Sequence, residues 1–554
     1  MENSEAKVII KGKESNSSGG STSENKTDNH SGNGSPDGIT GHLNEITNKV
    51  SKLPKPSPIP DKPLILEKQH TFWYLEKDKD SDEVKHWKIN HKQFIDFLRL
   101  LGFRRYDLNK DFFFVKVVDN VIEEVPLNQI QDALLKTIEE VEKNKWKHKI
   151  SKNVLLTKIH SSNTILFGRN KLSLLGQIED LSFAQDTKDE ACIFYRNGYV
   201  KCSATGYTLK DYKGLDGYIF RNQIIERDFI KSDGKGDFYQ FTRNISIPKT
   251  KDGNRLENDQ RWLAFKTHIG YLMHSFFDTR LAAVNITDST VSNSDEGRTG
   301  KSLTGVAISK IKSTCEIFGK EFDHTSPHKY SRANLGTQVV FHNDAKKNLA
   351  IETLFNVITD GIEVNGKYEK PFVIKAKYLI TSNSPLPTEG DSSKDRVYEF
   401  ELTDHYSLYH RPEDDFGRRF FSDWDAEEWS NFDNFMMQCI CDYLREGVIP
   451  PKEINLSERK AIEYTNADFV EFMKSSKIVA GKEYNKKELH EAFLNSYDEY
   501  KNDKYLSRQS NFTRYLKSYA NYSEDLKGKI KERRGDGKDF ITFGVQINQT
   551  KLNI

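Results

Sequence analysis

Residues 281–311 contain the residue types and spacing that could hold a phosphate group. An apolar strand leads into a polar loop that ends in Gly300-Lys301-Ser302, and a helix then begins near Leu303. Backbone N–H groups at a helix start attract phosphate oxygens, a lysine reaches the β- and γ-phosphates, and a serine hydroxyl ligates Mg²⁺. We therefore predict a Walker A loop that binds ATP together with Mg²⁺. The cofactor-binding residues of this loop are Gly297, Arg298, Thr299, Gly300, Lys301 and Ser302.

The loop departs from the usual pattern at its first position. Asp295 stands where the pattern G-x-x-x-x-G-K-[ST] has its first glycine. Gly297 follows two residues later, and we expect it to supply the backbone freedom that the first glycine normally gives.

A phosphate loop of this kind predicts a second strand that ends in an acid. Residues 339–341 form a short apolar strand about 40 residues after the loop, and Asp344 follows just beyond it. An acid at this place holds Mg²⁺ through water, so we predict Asp344 as the Walker B residue and, with Ser302, as a metal-binding residue. Asn343 precedes it where an acid is usual, which leaves the identity of the general base open.

Two further residues could act on the γ-phosphate. Asn383 ends another apolar strand, and an amide at such a position can orient the attacking water. Arg396 stands at the start of a β-rich run, from which an arginine can reach the nucleotide of an adjacent subunit. Arg418 and Arg419 are a second basic option for that role. With Asp344, these residues complete the predicted catalytic set.

The order of these motifs resembles that of superfamily 3 helicases, which phages, plasmids and DNA viruses encode. Four motifs follow one another between Asp295 and Asn383: DEGRTGKS, VVFHNDAKKN, DGIEVNGKYEKP and LITSN. This close spacing is the feature most specific to the family. The resemblance implies an α/β fold with a P-loop, AAA+-like ATPase core, a motif C sensor and an arginine finger. The site residues that it implies are, in chain order, Lys301, Ser302, Asp344, Asn383 and Arg396.

One of these stretches, DGIEVNGKYEKP, resembles motif B′, which in that family forms a hairpin projecting into a central channel. Asn365-Gly366 between β-prone segments also favours a hairpin in its own right. Lys367 and Lys370 near this turn are predicted to contact DNA phosphates. The resemblance is clearest over residues 255–445, and the block before it looks like the D5-type N-terminal region of phage and poxvirus-like primase-helicases.

Residues 460–554 predict a winged-helix domain that binds DNA. Two helices, the second at about residues 507–519, precede a strand, a Gly-Asp-Gly turn and another strand. One face of the second helix and the basic hairpin carry groups that contact phosphates and base edges. The residues predicted to bind DNA here are Arg508, Arg514, Lys517, Arg533 and Arg534.

The composition limits the class of protein. Its 554 residues are enough for about three to four folded units. Residues 1–62 contain no aromatic residue and are rich in Ser, Gly, Asn, Lys and Pro, which predicts a disordered tail and linker. No apolar run is long enough for a transmembrane helix, no secretory signal is evident, and five cysteines are too few for a disulfide framework. We therefore expect a cytoplasmic protein of a bacterial host cell, with no membrane partner.

The net charge of +1 does not exclude a nucleic-acid partner. Acidic stretches such as RPEDDF and DWDAEEW offset the basic stretch KGKIKERR and the motif B′ lysines. A ring that tracks DNA needs local positive charge and not a basic total. The near-neutral balance therefore excludes only a uniformly basic coat protein.

Taken together, the sequence predicts three folded domains after the tail. They are an α+β N-terminal domain at 63–250, a superfamily 3 ATPase domain at 251–455 and a winged-helix-like domain at 460–554. We expect an ATP-dependent replicative DNA helicase of a phage or mobile element. It would form a hexameric ring that translocates on single-stranded DNA, unwinds forked DNA and works with a primase on a separate chain.

Two other functions fit the same motifs. The departures at Asp295 and Asn343 could mark a replication initiator that binds ATP, hydrolyses it weakly and binds origin DNA through its C-terminal domain. An ATPase of similar motif order that acts on a protein substrate is the third possibility.

Overall fold

The computed structural model describes residues 71–545 apart from short gaps, which are 78–83, 109–110, 179–180, 251, 256–258, 279–280, 292–296, 348, 350, 367–370, 387–394 and 527. The tail predicted at residues 1–62 lies outside the described residues, as do Lys367 and Lys370. All described residues belong to one compact unit, Ser57–Ile554, and the domain boundaries within it stay predictions. None of the described helices is both long and apolar enough to cross a membrane.

The first part of the described chain contains three small sheets and five helices. Its strands are β1 (Trp73–Lys77), β2 (Val84–Ile89), β3 (Phe103–Leu108), β4 (Asp111–Val118), β5 (Val121–Glu124), β6 (Glu190–Tyr195), β7 (Gly198–Ser203), β8 (Gly206–Lys210), β9 (Ile219–Phe220) and β10 (Ile224–Ile225). Its helices are α1 (His91–Leu100), α2 (Leu127–Glu140), α3 (Lys152–Ser161), α4 (Asn163–Leu166) and α5 (Arg169–Leu172). The sheets have the orders β1-β2, β3-β4-β5-β9 and β10-β6-β7-β8.

The local turns of this part follow from residue type. Strands β4 and β5 form an antiparallel hairpin in which Val118 faces Val121, and Asp119 in the turn adopts a left-handed φ of 50°. Asp tolerates this conformation better than most residues, which is why it favours tight turns. Apolar residues of α1 recur at helical spacing and are buried, and Gly102 follows the helix with φ 92°.

The second part is an α/β layer built on one parallel sheet. Its strands are β11 (Ala283–Asp288), β12 (Thr314–Phe318), β13 (Val339–Ala345), β16 (Lys377–Ser382) and β17 (Val397–Leu402). They lie in the order β12-β13-β16-β11-β17 and all neighbours are parallel. A separate antiparallel hairpin is formed by β14 (Ile362–Val364) and β15 (Phe372–Ile374).

Helices cover this sheet. They are α6 (Asp237–Ser246), α7 (Gln260–Met273), α8 (Lys301–Ser309), α9 (Phe355–Thr359), α10 (Pro412–Phe416) and α11 (Ala426–Glu446). Helix α8 lies very close to the sheet, since a Cβ on Gly305 would come within 2.1 Å of the Phe341 ring. A glycine is therefore required there, and the middle of α8 is held directly over β13.

A buried ion pair, a buried lysine and the carboxylate of Asp186 join the first part to this sheet and its helices. Arg227, which follows β10, pairs with the buried carboxylate of Asp433 on α11. Burial lowers the pKa of Lys377 at the start of β16 to about 7, while the negative charge of Asp186 in the first part acts in the opposite direction. Asp186 accepts hydrogen bonds from the backbone N–H groups of Cys192 and Ser275 at 2.8 and 2.7 Å. These contacts hold the amino-terminal sheets against the central one.

The last part has the element order α12 (Leu456–Tyr464), α13 (Ala467–Ser475), β18 (Glu483–Asn485), α14 (Lys486–Ser496), α15 (Gln509–Tyr522), β19 (Lys529–Gly535) and β20 (Lys538–Val545). The three strands form an antiparallel sheet of order β18-β20-β19. Buried Phe469, Phe493, Phe512 and Ile541 pack between the helices and this sheet. Asn485 caps α14 by accepting from the backbone N–H of Lys487 at 3.0 Å.

Candidate nucleotide-binding site

Three strands of the parallel sheet end beside one another. Asp288 ends β11, Asn343 and Asp344 lie near the end of β13, and Asn383 follows β16. Because neighbouring strands are parallel, their carboxyl ends lie at one edge of the sheet, which is where such folds bind ligands. The polar residues predicted from the sequence therefore meet at this edge.

The loop before α8 has the conformation of an anion-binding turn. Arg298 and Gly300 have left-handed φ values of 91° and 106°, and α8 starts at Lys301. A Cβ on Gly300 would lie 2.7 Å from the Phe241 ring, so the backbone packs tightly on α6. The free N–H groups at the start of α8 and the helix dipole favour a negative group here.

The loop also lies next to the amide at the end of β16. A Cβ on Gly297 would lie 3.8 Å from Oδ1 of Asn383. The structure thus brings together the glycine predicted to loosen the loop and the amide predicted to orient water. Arg298, by contrast, is exposed at the outer side of the loop.

The ammonium group of Lys301 already holds an anion in this structure. Its Nζ pairs with Oδ2 of Asp288, and the Thr299 hydroxyl donates to Oδ1 of the same carboxylate. Both charged side chains are only 7% exposed. Burial lowers the pKa of Lys301, while the negative charge of Asp288 acts in the opposite direction. The Asp288 carboxylate occupies the place on Lys301 and Thr299 where a phosphate oxygen would bind.

The hydroxyl of Ser302 contacts Asn343 rather than Asp344. Ser302 Oγ donates to Asn343 Oδ1 at 2.9 Å, and the Thr381 hydroxyl donates to the same oxygen at 3.1 Å. On its other side, Asn343 Nδ2 donates to Oε1 of Glu316 on β12 at 2.9 Å. A polar chain therefore runs from Ser302 through Asn343 to Glu316.

Asp344 lies at an irregularity in β13. Pairing with β16 is interrupted between His342 and Ala345, and Asp344 has a left-handed φ of 56°. Its backbone N–H donates to Thr381 Oγ1 at 2.9 Å, and its carboxylate, 39% exposed, pairs with Lys320 at 2.9 Å. A bulge of this kind turns the side chain away from its regular direction. The structure thus places Asp344 at the predicted edge without joining it to Ser302.

Arg396 lies at the opposite edge of the sheet. It precedes β17, which runs parallel to β11, and its backbone carbonyl accepts from Ala283 N–H at 2.9 Å. Its guanidinium is 4.8 Å from the centre of the Phe355 ring. The strand length of roughly 16–20 Å separates it from the loop of its own chain. Of the alternative basic residues, Arg418 is engaged by Asp237 and Glu428, at 2.6 and 2.9 Å.

An arginine that the sequence did not single out completes the site. Arg459 on α12 donates to the backbone carbonyls of Asp288 and Asn383, the latter at 2.6 Å, and to Thr287 Oγ1 at 3.3 Å. Its side chain is buried against the carboxyl ends of β11 and β16. Arg459 belongs to no sequence motif. Its charge was the one signal that the sequence contained.

Similarity of this chain to known proteins is found among solved structures, at low sequence identity. The sequence matches no protein-family description and no curated protein. The chain is similar to two solved structures of the C-terminal region of NrS-1. The A-form apo structure has 12% identity and a TM-score of 0.35, covering 82% of this chain and 99% of that one. An apo structure of residues 305–718 has 13% identity and a TM-score of 0.36, covering 82% and 98%. At these TM-scores the similarity does not show which fold or function this chain shares with NrS-1.

The residues at the carboxyl edge fit a nucleotide with Mg²⁺. Lys301 and Thr299 bind one anion already, and a helix N-terminus points at the same place. The groups near Ser302 are hydroxyl, amide and carboxylate oxygens, which are the ligands that Mg²⁺ prefers. Ser302, Asn343 and Asp344 would be the nearest groups to the metal.

The hairpin predicted for motif B′ is present as β14 and β15, and its connection begins at Asn365, whose carbonyl contacts His328 Nδ1 at 2.8 Å. The lysines predicted to touch DNA, Lys367 and Lys370, lie outside the described residues. The contribution of this hairpin to DNA binding therefore stays a prediction.

The five basic residues predicted in the last part differ in their surroundings. Arg508, Arg514 and Arg534 are exposed, the last with a side chain 83% accessible. Lys517 is paired with Glu532 at 2.6 Å, and Arg533 with Glu483 at 2.7 Å. Arg508 and Arg514 can therefore offer charge to a partner at little cost, whereas Lys517 and Arg533, and more weakly Arg534 with Asp539 at 3.8 Å, must first exchange a carboxylate for a phosphate.

Proposed function

We propose that this protein is an ATP-dependent DNA helicase of the superfamily 3 type, acting in replication of a phage or similar element in the cytoplasm of a bacterial cell. The observation that carries the proposal is the anion-binding loop at the start of α8. Its Lys301 and Thr299 bind the carboxylate of Asp288 at the end of β11, at the carboxyl edge of a parallel sheet. Binding of a nucleotide phosphate would require Lys301 to leave Asp288.

Each predicted catalytic group has a place in this proposal. Lys301 and the N–H groups of α8 would hold the β- and γ-phosphates, and Asn383 would orient the attacking water. Asp344, which is partly exposed beyond the bulge, would hold Mg²⁺ through water once it releases Lys320. Bound Mg²⁺ would offset the charge of the phosphates beside Ser302.

The distance of Arg396 from the loop supports an assembly of several subunits. An arginine at the amino edge cannot reach the nucleotide of its own chain, so its role on a phosphate requires a neighbour. We propose a homo-oligomeric ring, with six subunits as implied by the superfamily 3 resemblance. Single-stranded DNA would pass along hairpins β14–β15 in its channel.

The last part supports a second DNA contact. A helix, a strand, two helices and a two-stranded hairpin follow in the order α13-β18-α14-α15-β19-β20, which is the order that a winged helix has. The exposed arginines of α15 and the hairpin would bind phosphates at a fork. Priming would fall to a separate chain.

The test is ATP hydrolysis by the full chain with and without single-stranded DNA, together with unwinding of a forked duplex. We expect DNA to raise hydrolysis severalfold and unwinding to need ATP. Absence of both hydrolysis and unwinding at every salt concentration tried would overturn the proposal. Electron micrographs with ATP should show a hexameric ring.

One observation favours a second candidate, an ATP-dependent replication initiator. The residue that contacts Ser302 is the neutral amide of Asn343, and this would weaken metal binding and slow turnover. Such a protein would bind duplex origin DNA in a sequence-specific manner and assemble with ATP. It would not unwind a fork, which separates the two candidates.

DNA binding through α15 gives a quantitative prediction. We expect Arg508→Ala/Arg514→Ala to weaken binding to forked DNA about tenfold near physiological salt and to lower the slope of log K against log salt by about 2, since each arginine neutralises one phosphate. Fluorescence anisotropy at several salt concentrations measures both quantities. Lys92→Ala serves as the control, because Lys92 is equally exposed but lies on α1. An unchanged slope in the double variant would show that these two arginines of α15 do not contact DNA phosphates.

A further inference from the structure

The residue beside the Ser302 hydroxyl carries no charge. Mg²⁺ sites on nucleotides normally include a carboxylate near the loop serine. Here Asn343 fills that place, and the two carboxylates closest along the strand ends are engaged by lysines: Asp288 by Lys301, and Asp344 by Lys320. Among the described residues, neither carboxylate is hydrogen-bonded to Ser302 or to the side chain of Asn343, so the group behind the amide sets the charge at that place.

Glu316 is the carboxylate in direct contact with Asn343. It lies on β12, and its Oε1 accepts from Asn343 Nδ2 at 2.9 Å. Of these three carboxylates, Glu316 is the one that is hydrogen-bonded to the side chain of Asn343.

This contact fixes the orientation of the Asn343 amide. An ionised carboxylate can only accept, so Nδ2 must face Glu316. Oδ1 must then face Ser302 and Thr381, whose hydroxyls donate to it at 2.9 and 3.1 Å. Glu316 thus polarises the amide and turns an oxygen, not a nitrogen, toward the place of the metal.

We propose that Glu316 is a positioning residue for the Mg²⁺ site. In other phosphate-binding loops an acid at the place of residue 343 would supply negative charge to the metal directly. Here Glu316 supplies that charge from behind Asn343. The inference rests on the proposed nucleotide-binding function and deepens it. Removing a carboxylate that is hydrogen-bonded to a metal ligand, without binding the metal itself, typically lowers metal affinity about 10- to 100-fold. Glu316 would act without touching the nucleotide.

The experiment compares binding of a fluorescent ADP analogue to the full chain with Mg²⁺ and with EDTA. The variants are Glu316→Gln, which keeps the shape and a hydrogen bond, and Glu316→Gln/Asn343→Asp, which moves the charge onto residue 343. Glu321→Gln is the matched control, because Glu321 lines the same cleft as Glu316 but has no hydrogen bond to Asn343. Thermal melts verify that every variant is folded.

We expect Glu316→Gln to weaken the Mg²⁺-dependent part of ADP binding at least tenfold and to leave binding in EDTA unchanged. The double variant should return to within about threefold of the original protein. Loss in the single variant without recovery in the double variant, or no loss at all, would overturn the role of Glu316. Failure of the original protein to bind the ADP analogue under either condition would instead overturn the proposed function, and this inference with it.

Discussion

Replacing Lys301 by methionine is expected to reduce ATP hydrolysis at least a hundredfold and also to lower the free energy of unfolding by about 3–5 kcal/mol. The first effect follows from loss of the ammonium group that would hold the phosphates. The second follows because the carboxylate of Asp288, 7% exposed, is left without the ammonium group that binds it. A buried carboxylate without its ion pair is among the most costly single changes in a protein.

The two effects can be separated with a second substitution. Lys301→Met/Asp288→Asn removes both charges, so its stability should recover to within about 1 kcal/mol of the original protein, while hydrolysis stays absent. Urea unfolding and a steady-state ATPase assay measure the two quantities. Hydrolysis by the single variant within tenfold of the original rate would contradict the role of Lys301. Equal instability of both variants would contradict the contribution of Asp288.

Apolar runs and turn residues were enough to predict the strands that carry the site. The runs before the loop, before Asp344 and before Asn383 are present as β11, β13 and β16. Their order in the sheet brings the predicted groups together at one edge. The two strands that flank Asn365-Gly366 are likewise present as the antiparallel pair β14 and β15, but they are joined by a longer connection than a two-residue turn.

The contacts between those groups could not be predicted in the same way. A bulge in β13 decides whether Asn343 or Asp344 faces Ser302, and a shift of one residue along a strand moves a side chain to the other face. The pairing of Lys301 with Asp288 joins two residues that lie 13 positions apart in the chain. Such contacts depend on tertiary packing, which local sequence patterns do not record.

Arg459 shows this limit most clearly. Nothing near it in the sequence resembles a motif, and its partners Asp288 and Asn383 are 171 and 76 residues away. Those partners are backbone carbonyls, which every residue possesses, so the identity of the partner residues gives no clue. Only the packing of α12 on the sheet edge brings them together.

The position of Arg459 links the nucleotide site to the part of the chain proposed to bind DNA. Its guanidinium joins the carboxyl ends of β11 and β16, and its helix packs on α15 through Tyr464, whose ring stacks on Tyr522 at 5.3 Å. A shift of α15 on DNA binding would therefore move Arg459 relative to the strand ends. Under the proposed function, this path would give DNA a means of changing the rate of ATP hydrolysis.

Arg459→Lys is accordingly expected to reduce the stimulation of ATP hydrolysis by DNA about tenfold or more and to cost about 1–3 kcal/mol in stability. A lysine cannot bond both carbonyls in the geometry of the guanidinium fork, so at least one buried acceptor loses its donor. Tyr464→Ala should lower the stimulation as well, because it breaks the contact at the other end of α12. ATPase assays over a range of DNA concentrations and urea unfolding measure these effects.

The control and the double variant decide whether the two residues act on one path. Glu458→Gln removes an ion pair with Lys474 at the side of the same helix and should leave stimulation unchanged. If Arg459 and Tyr464 transmit one signal, Arg459→Lys/Tyr464→Ala will lose no more stimulation than the single variant with the larger loss. The first substitution already interrupts the coupling on which the second would act. Strictly additive losses would show that the residues act separately. Full stimulation in Arg459→Lys would mean that DNA reaches the nucleotide site by another route, for which the hairpin β14–β15 is the nearest candidate.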